Sequence, residues 1–307
     1  MTDPRHTFEL RGHEEAENVF RTALASGRLH HAWLISGPAG IGKATLAFRL
    51  ARLLLNGEDP DSPAGRRITA ATHGDLLEIS RAVDEKKGRL RGEITAADVR
   101  PVQSFLHHTA TEGGWRVVIV DGAEFLNRFA ANALLKILEE PPPRAILLLT
   151  TASPGKLLPT IRSRCRALAL SPVSDRDMRA ILPDVPEDVL VRAHGSPGRA
   201  LFLAQDRDGA IAGFVAEILA GKALTAEMLP LIDRIARETE GFALLCDLLG
   251  EGLAERARSA ARRGDLLLAD SSARQCSELD TLKRQTDGFN LDKAQAIRQA
   301  VERAAGM

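Results

Sequence analysis

The chain has 307 residues, which is enough for two or three domains of ordinary size. Hydrophobic residues make up 44% and charged residues 27% of it, a composition typical of a soluble globular protein and not of a disordered or fibrous one. The 41 Lys and Arg residues balance the 41 Asp and Glu residues, so the chain lacks the net positive charge that would indicate nucleic-acid binding. A net charge of zero is still compatible with a local basic face.

The sequence also argues against membrane and secreted classes of protein. No apolar run reaches the length of about 18–20 residues that a membrane span needs, and the polar, acidic first residues do not resemble a signal peptide. Cys165, Cys246 and Cys276 lie far apart and form no Cys-x-x-Cys pair, which argues against a disulfide framework and a cysteine-cluster zinc site. We therefore expect a cytoplasmic protein with no membrane partner.

Up to about residue 170, short apolar runs alternate with stretches of helical periodicity. Apolar strands separated by helices are typical of a parallel sheet that helices cover on both faces. The segment Asn56–Arg67, which is polar and contains two prolines and two glycines, is predicted to be a loop. The predicted strands are Ala32–Ser36, Leu76–Ser80, Val117–Asp121, Ile146–Thr151 and Ala167–Leu170.

After Pro172 no comparable strand is predicted, and apolar residues recur at helical spacing to the end of the sequence. We interpret the apolar stripes of these helices as the surface of an oligomerisation module. The alternative is that the stripes pack on one another in a closed domain. The clearest stripes contain Leu244, Leu245, Leu248 and Leu249 in one helix and Ala294, Ile297 and Val301 in the last.

The segment Gly37–Lys43 fits the phosphate-binding pattern G-x-x-x-x-G-K. A predicted strand leads into it and a helical pattern follows, an arrangement that directs backbone N–H groups and a helix N-terminus towards an anion. Lys43 would supply the positive charge for the β- and γ-phosphates. The alternative is an ordinary glycine-rich turn between a strand and a helix.

Two positions depart from what ATP hydrolysis needs. A working loop ends in Ser or Thr, whose hydroxyl binds Mg²⁺, whereas this chain has Ala44; Thr45 lies about 100° further around the helix. Asp121 ends a predicted strand, but Gly122 follows where a hydrolytic enzyme would carry a glutamate, and Glu124 comes three residues after Asp121. Asp121 has an alternative role as a cap of the next segment. Both departures affect hydrolysis and leave the phosphate cradle intact.

Three further motifs follow the loop. They are Asn132–Pro142 (NALLKILEEPP), the run ILLLTT, and Ser163-Arg164-Cys165. With these motifs the chain resembles the clamp-loader branch of the AAA+ family, and Leu10–Lys43 and Gly195–Leu201 agree with it. The resemblance is specific from residue 10 to about 205 and only architectural beyond.

The resemblance implies an α/β AAA+ P-loop core with a parallel five-stranded sheet at 1–171. A small helical lid at 172–207 and an all-α collar at 208–307 would follow. It also implies a degenerate ATP site, with Thr151 at the place of the family's first sensor residue. The residues of that site would be Gly37, Pro38, Gly40, Gly42, Lys43, Ala44, Thr45, Asp121 and Thr151.

In the family, the arginine of the Ser-Arg-Cys motif reaches the ATP site of a neighbouring subunit, which implies such a role for Arg164. The alternative for Arg164 is a surface ion pair, and Arg162 and Arg166 are competing candidates. Active members also carry a sensor arginine where this chain has Gly198; Arg199 is one place away.

The resemblance therefore implies a non-hydrolysing subunit of the clamp loader of a replicative DNA polymerase. Its partners would be the tau/gamma and delta subunits, with the sliding clamp and primer-template DNA reached through the assembled complex. Many members carry a Cys-rich zinc module, but no cysteine precedes Arg164 and the pairs His30-His31 and His107-His108 cannot replace one. We expect no required cofactor, at most weak binding of ATP or ADP, and no zinc. The alternatives are an active P-loop ATPase acting on its own and an ATP-binding regulatory domain unrelated to replication.

Overall fold

The computed structural model describes residues 3–84, 89–111, 114–206, 208–238, 240–289 and 291–305. The chain divides into two compact units, Met1–Leu201 and Phe202–Met307. Residues 172–201 of the predicted lid belong to the first unit, and the division into three domains stays a prediction. No helix within the described ranges is both long and apolar enough to cross a membrane.

The first unit is built on a five-stranded parallel sheet, as the sequence predicts. The strand order is β2-β5-β6-β1-β7, so the strand before the phosphate loop lies between the last two strands of the chain. Each predicted strand is present to within one residue at either end. The strands are β1 (Ala32–Ser36), β2 (Leu76–Ile79), β5 (Arg116–Val120), β6 (Ala145–Thr151) and β7 (Arg166–Ala169), and a separate antiparallel pair is β3 (Val83–Asp84) and β4 (Arg89–Leu90).

Helices cover both faces of this sheet because successive strand residues point to opposite sides. Val118 and Leu147 pack in a core with α4 and α5, whereas Ile119 and Leu148 pack in a second core with α1 and α2. The helices are α1 (Glu14–Ala25), α2 (Lys43–Leu54), α3 (Pro63–Thr69), α4 (Ala96–His107), α5 (Arg128–Glu139), α6 (Pro159–Arg162), α7 (Asp175–Ile181), α8 (Glu187–Arg192) and α9 (Pro197–Leu203), which ends in the second unit. Short 3₁₀ turns lie at Pro4–His6, Ala123–Phe125 and Pro154–Lys156.

The predicted loop Asn56–Arg67 is wrong over its last part, where α3 begins at Pro63. Ser62 caps this helix, because its hydroxyl oxygen accepts a hydrogen bond from the backbone N–H of Gly65 at 3.0 Å. A Ser-Pro pair at the start of a helix is a recognised N-terminal signal. The polar, proline-containing composition of the segment obscured that signal.

Two arginines of α2 form hydrogen bonds with the backbone of the N-terminal segment. Arg49 donates a hydrogen bond to the carbonyl of Phe8 at 2.7 Å, and Arg52 donates to the carbonyl of Arg5. Arg52 is 1% exposed, and its guanidinium carbon lies 4.0 Å from the centre of the Phe8 ring. A buried charge needs such partners. The result is that residues 5–8 lie against the helix that follows the phosphate loop.

The second unit is helical, and within the described ranges no strand follows β7. Most residues of the predicted stripes are at most 1% exposed, namely Leu244, Leu245, Leu249, Ile297 and Val301. Leu248 and Ala294 of the same stripes are only partly buried. The stripes thus pack largely within the unit, and its role as an oligomerisation module stays a prediction. The helices are α10 (Ala210–Leu219), α11 (Leu229–Arg237), α12 (Gly241–Arg262), α13 (Leu266–Phe289) and α14 (Lys293–Ala305), with a 3₁₀ turn at Ala226–Met228.

The cap of α3 leads to a prediction about stability. We expect Ser62→Ala to lower the free energy of unfolding by about 1 kcal/mol, since the amide of Gly65 loses its acceptor. Urea unfolding measures the effect. Ser104→Ala is the matched control, because Ser104 lies on an exposed turn of α4 and its loss leaves no backbone donor unpaired. Equal effects of the two substitutions would contradict the capping role.

Candidate phosphate-binding site and surface arginine

The phosphate loop lies at the carboxyl edge of the sheet, between the end of β1 and the start of α2 at Lys43. Its first amide, that of Gly37, donates to the carbonyl of Thr151 at the end of β6 at 3.2 Å. Asp121 follows the end of β5 on the same edge. Ligands of open α/β sheets bind at this edge, so the fold brings the predicted site residues together.

Glycine is required at several places in the loop by backbone conformation and by space. Gly40 and Gly42 have φ angles of +75° and +101°, which L-residues rarely adopt. At Gly37 a Cβ atom would lie 2.7 Å from the carbonyl oxygen of Leu170. The pattern of glycines therefore reflects a specific loop conformation and not merely a flexible turn.

Lys43 folds back over the loop. Its Nζ donates to the carbonyls of Gly37 at 3.0 Å and Pro38 at 2.6 Å. Burial lowers the pKa of Lys43 from its usual value, while the nearby carboxylates of Glu124 and Asp121 act in the opposite direction. The amine is thus held in a partly desolvated place where an additional anion would stabilise its charged form.

The loop is joined to the segment 195–201 by direct backbone contact. The amide of Gly198 donates to the carbonyl of Gly40 at 2.9 Å, and the Ser196 hydroxyl donates to the carbonyl of Ala39 at 2.9 Å. A Cβ atom on Gly198 would lie 2.8 Å from the Cα of Gly40. The absence of a side chain at position 198 therefore permits the contact. From the sequence, Gly198 stood out only as the position where the family resemblance implies a sensor arginine, and this packing was not predicted.

His13 holds the next carbonyl of the loop. Its Nε2 donates to the carbonyl of Ile41 at 2.7 Å, and its side chain is 5% exposed. The carbonyls of Ala39, Gly40 and Ile41 are thus all hydrogen-bonded to other segments of the first unit. Among the described residues, the amide N–H groups of residues 39–43 have no protein acceptor. Such free amides, with a lysine beside them, can bind an anion such as a phosphate.

A cavity of about 640 Å³ opens beside the loop. Its polar lining includes Lys43, Thr45 and Asp121, and Ala44 lies beside them. Nucleotide-sized ligands occupy cavities of this size that combine apolar walls with a few placed polar groups. The apolar side is formed by Phe8, Leu10, Val173, Ile181, Leu182 and Leu201.

Two threonines at the end of β6 have different roles. The Thr150 hydroxyl donates to Asp121 Oδ1 at 2.5 Å and accepts from the amide of Gly122 at 2.9 Å. Thr151, the predicted sensor, is fully buried, and its hydroxyl oxygen accepts from the amide of Ser153 at 3.1 Å. Thr150, which sequence reasoning missed, therefore orients Asp121 by its side chain, whereas Thr151 contacts the loop only through its carbonyl.

Arg164 lies away from this cavity. It precedes β7, so it belongs to the amino edge of the sheet, opposite the phosphate loop. Its guanidinium donates to the carbonyl of Thr160 at 3.0 Å and pairs with Glu139 Oε1 at 2.8 Å. The side chain as a whole is 35% exposed. The surface ion pair that was the alternative interpretation is thus present, and the two contacts use two of the five N–H donors of the guanidinium.

The residues near Arg164 in the sequence have different surroundings from it. The guanidinium of Arg166 lies 4.9 Å from the centre of the Trp33 ring, whereas Arg162 is exposed. Burial raises the pKa of the Cys165 thiol to about 12, so this cysteine is a poor nucleophile and metal ligand at neutral pH. Within the described ranges, no group of three or more His, Cys, Asp or Glu residues is placed to hold a metal ion.

Comparison with known proteins identifies relatives of the first unit. A family described as "DNA polymerase III, delta subunit" matches residues 12–174. The DNA polymerase III subunit delta' of Pseudomonas aeruginosa is 39% identical over 181 residues, covering 54% of this chain and 53% of that protein. The DNA polymerase III subunit gamma/tau of Mycobacterium bovis is 35% identical over 185 residues, which cover 60% of this chain and 32% of that protein. The chain thus spans about half the length of the delta' relative and a third of gamma/tau.

A solved structure extends the likeness in fold. The crystal structure of a DNA polymerase III gamma subunit-related protein from Thermotoga maritima superposes with a TM-score of 0.50 and 19% identity. It covers 95% of this chain and 98% of that one. At this identity the likeness concerns the fold alone.

The contact between Gly40 and Gly198 leads to a prediction about packing. We expect Gly198→Ala to lower the free energy of unfolding by about 1–3 kcal/mol, because the new methyl group would meet the loop backbone. Thermal unfolding of the purified chain measures it. Gly155→Ala is the control, since a Cβ at Gly155 meets no atom within 4 Å. A Gly198→Ala variant as stable as the control would contradict the close packing.

Proposed function

The chain belongs to the DNA polymerase III delta-subunit family, and on this premise we propose that it is a delta-prime-type clamp-loader subunit that does not hydrolyse ATP itself. In this proposal it supplies Arg164 to the ATP site of a neighbouring subunit. Its partners are tau/gamma and delta subunits in the cytoplasm, and the assembled complex places a sliding clamp on primer-template DNA.

One observation carries the proposal: the phosphate cradle is intact, but two groups needed for hydrolysis are replaced. The free amides of residues 39–43 and the amine of Lys43 fit a phosphate. Ala44 offers no oxygen to the Mg²⁺ that normally accompanies ATP, and Gly122 offers no carboxylate to activate water. The site therefore supports weak binding of ATP or ADP, with no cofactor required. We likewise propose that the chain needs no zinc.

The position of Arg164 supports the second half of the proposal. The arginine lies at the edge of the sheet opposite its own phosphate loop, and its side chain is partly exposed. It could therefore contact a nucleotide only in another subunit. An arginine supplied in this way stabilises the negative charge that develops on the transferred phosphoryl group.

A second candidate function is an ATPase that acts on its own, and the position of one carboxylate favours it. The carboxylate of Glu124 lies close enough to Lys43 to affect its pKa, so a carboxylate is present near the loop although Gly122 is not one. However, the amide of Ala152 donates to Glu124 Oε1 at 2.9 Å, which fixes that oxygen in a structural hydrogen bond. We therefore favour the non-hydrolysing subunit.

The missing groups predict the behaviour of the isolated chain. We expect purified protein to hydrolyse ATP at background rate, because a metal ligand and the water-activating carboxylate are both absent. Calorimetry should find that Ala44→Thr tightens Mg²⁺-dependent ATP binding, while Ala97→Thr, on the exposed face of α4 and outside the cavity, leaves it unchanged. ATP turnover that Lys43→Ala abolishes would instead establish the second candidate.

The trans role predicts that Arg164→Ala acts on a neighbour. In a loader reconstituted with tau/gamma and delta subunits, we expect the clamp- and DNA-stimulated ATPase to fall, because the neighbour's site loses a fixed positive charge. Fully engaged arginines of this kind contribute about 10³–10⁵ in rate at a single site. Arg162→Ala is the control, and incorporation and thermal stability should not change. Unaltered stimulated ATPase in a fully assembled loader would show that the assigned role is wrong.

A further inference from the structure

Arg164 forms an ion pair with Glu139, a carboxylate in an electrostatically unfavourable position on α5. Glu139 is the last residue of α5, where the helix dipole disfavours a negative charge. Its side chain is 51% exposed and could extend into solvent, yet Glu139 Oε1 lies 2.8 Å from a terminal nitrogen of Arg164. The pair places a positive charge beside the carboxylate and beside the helix C-terminus, which offsets the unfavourable position.

The end of α5 is fixed by other contacts. Ile137 and Leu138 are buried, and His31 Nε2 donates to the carbonyl of Leu138 at 3.0 Å. At the other end the side chain of Asn127 caps the helix. The backbone of Glu139 is therefore an anchored point from which a flexible arginine can be oriented.

The pair leaves part of the guanidinium available. A guanidinium has five N–H donors in a fixed plane. In the described structure, one contact goes to Glu139 and one to the carbonyl of Thr160, and the side chain remains 35% exposed. Two acceptors on a rigid frame restrict the rotamers of a long side chain and leave the other N–H groups for an incoming anion.

We propose that Glu139 is a positioning residue, which holds the guanidinium of Arg164 in the orientation that meets the phosphates of a neighbouring subunit's nucleotide. This inference rests on the trans role of Arg164 proposed above. Glu139 itself touches no nucleotide and acts only through Arg164. The adjacent Glu140 is exposed and forms no ion pair among the described residues, so it offers a matched carboxylate without this role.

The test uses the reconstituted loader with the full-length chain. We expect Glu139→Ala to lower the kcat of stimulated ATPase about two- to fivefold, the range that an exposed ion pair contributes, with KM for ATP unchanged. Glu139→Gln should lose less, since its amide oxygen still accepts a hydrogen bond. Glu140→Ala should have no effect, and thermal stability should not change in any variant.

A double-mutant cycle separates positioning from other roles. In an Arg164→Ala background, Glu139→Ala should cause no further loss, because the group through which it acts is gone. An unchanged kcat in Glu139→Ala, or the same fractional loss with and without Arg164, would overturn the positioning role while leaving the trans role of Arg164 intact. If Arg164→Ala alone leaves the ATPase unchanged, the proposed function fails and this inference fails with it.

Discussion

The close approach of Gly40 and Gly198 is the constraint on which the candidate site depends. The carbonyl of Gly40 accepts a hydrogen bond from Gly198, and neither position has room for a Cβ atom. The contact engages the carbonyl of Gly40, while among the described residues the loop amides of residues 39–43 have no protein acceptor and can meet an anion. It also places a backbone at the position where active family members are expected to carry a sensor arginine.

The sequence predicted the sheet well because its strands are buried on both faces and therefore read as continuous apolar runs. Helix α3 was missed because a polar segment with two prolines outweighed the Ser62-Pro63 start signal. The pair β3–β4 was missed because strands of two residues are too short to show a periodicity. In the second unit the apolar stripes predicted helices correctly, but a stripe alone cannot distinguish a buried face from a docking surface.

The candidate site was only partly predictable for a related reason. Glycines and Lys43 follow a local pattern, so their spacing alone placed them in the site. The groups that hold the loop come from distant segments: Ser196 is 157 residues from Ala39, and His13 is 28 residues from Ile41. Hydrogen bonds between such positions leave no pattern in one sequence. Thr150 illustrates the same limit, because two adjacent threonines at a strand end look equivalent until the side-chain directions are known.

The two halves of the proposed function are separable because the sheet keeps their residues apart. Ala44 and Gly122 lie at the carboxyl edge, while Arg164 and Glu139 lie at the amino edge, where β7 starts and α5 ends. Strand β1 alone spans about 16 Å at 3.3 Å per residue, so the ion pair has no contact with the phosphate loop. Substitutions that remove hydrolysis therefore need not disturb the arginine. A subunit with this fold can lose its own reaction and retain the group that serves a neighbour.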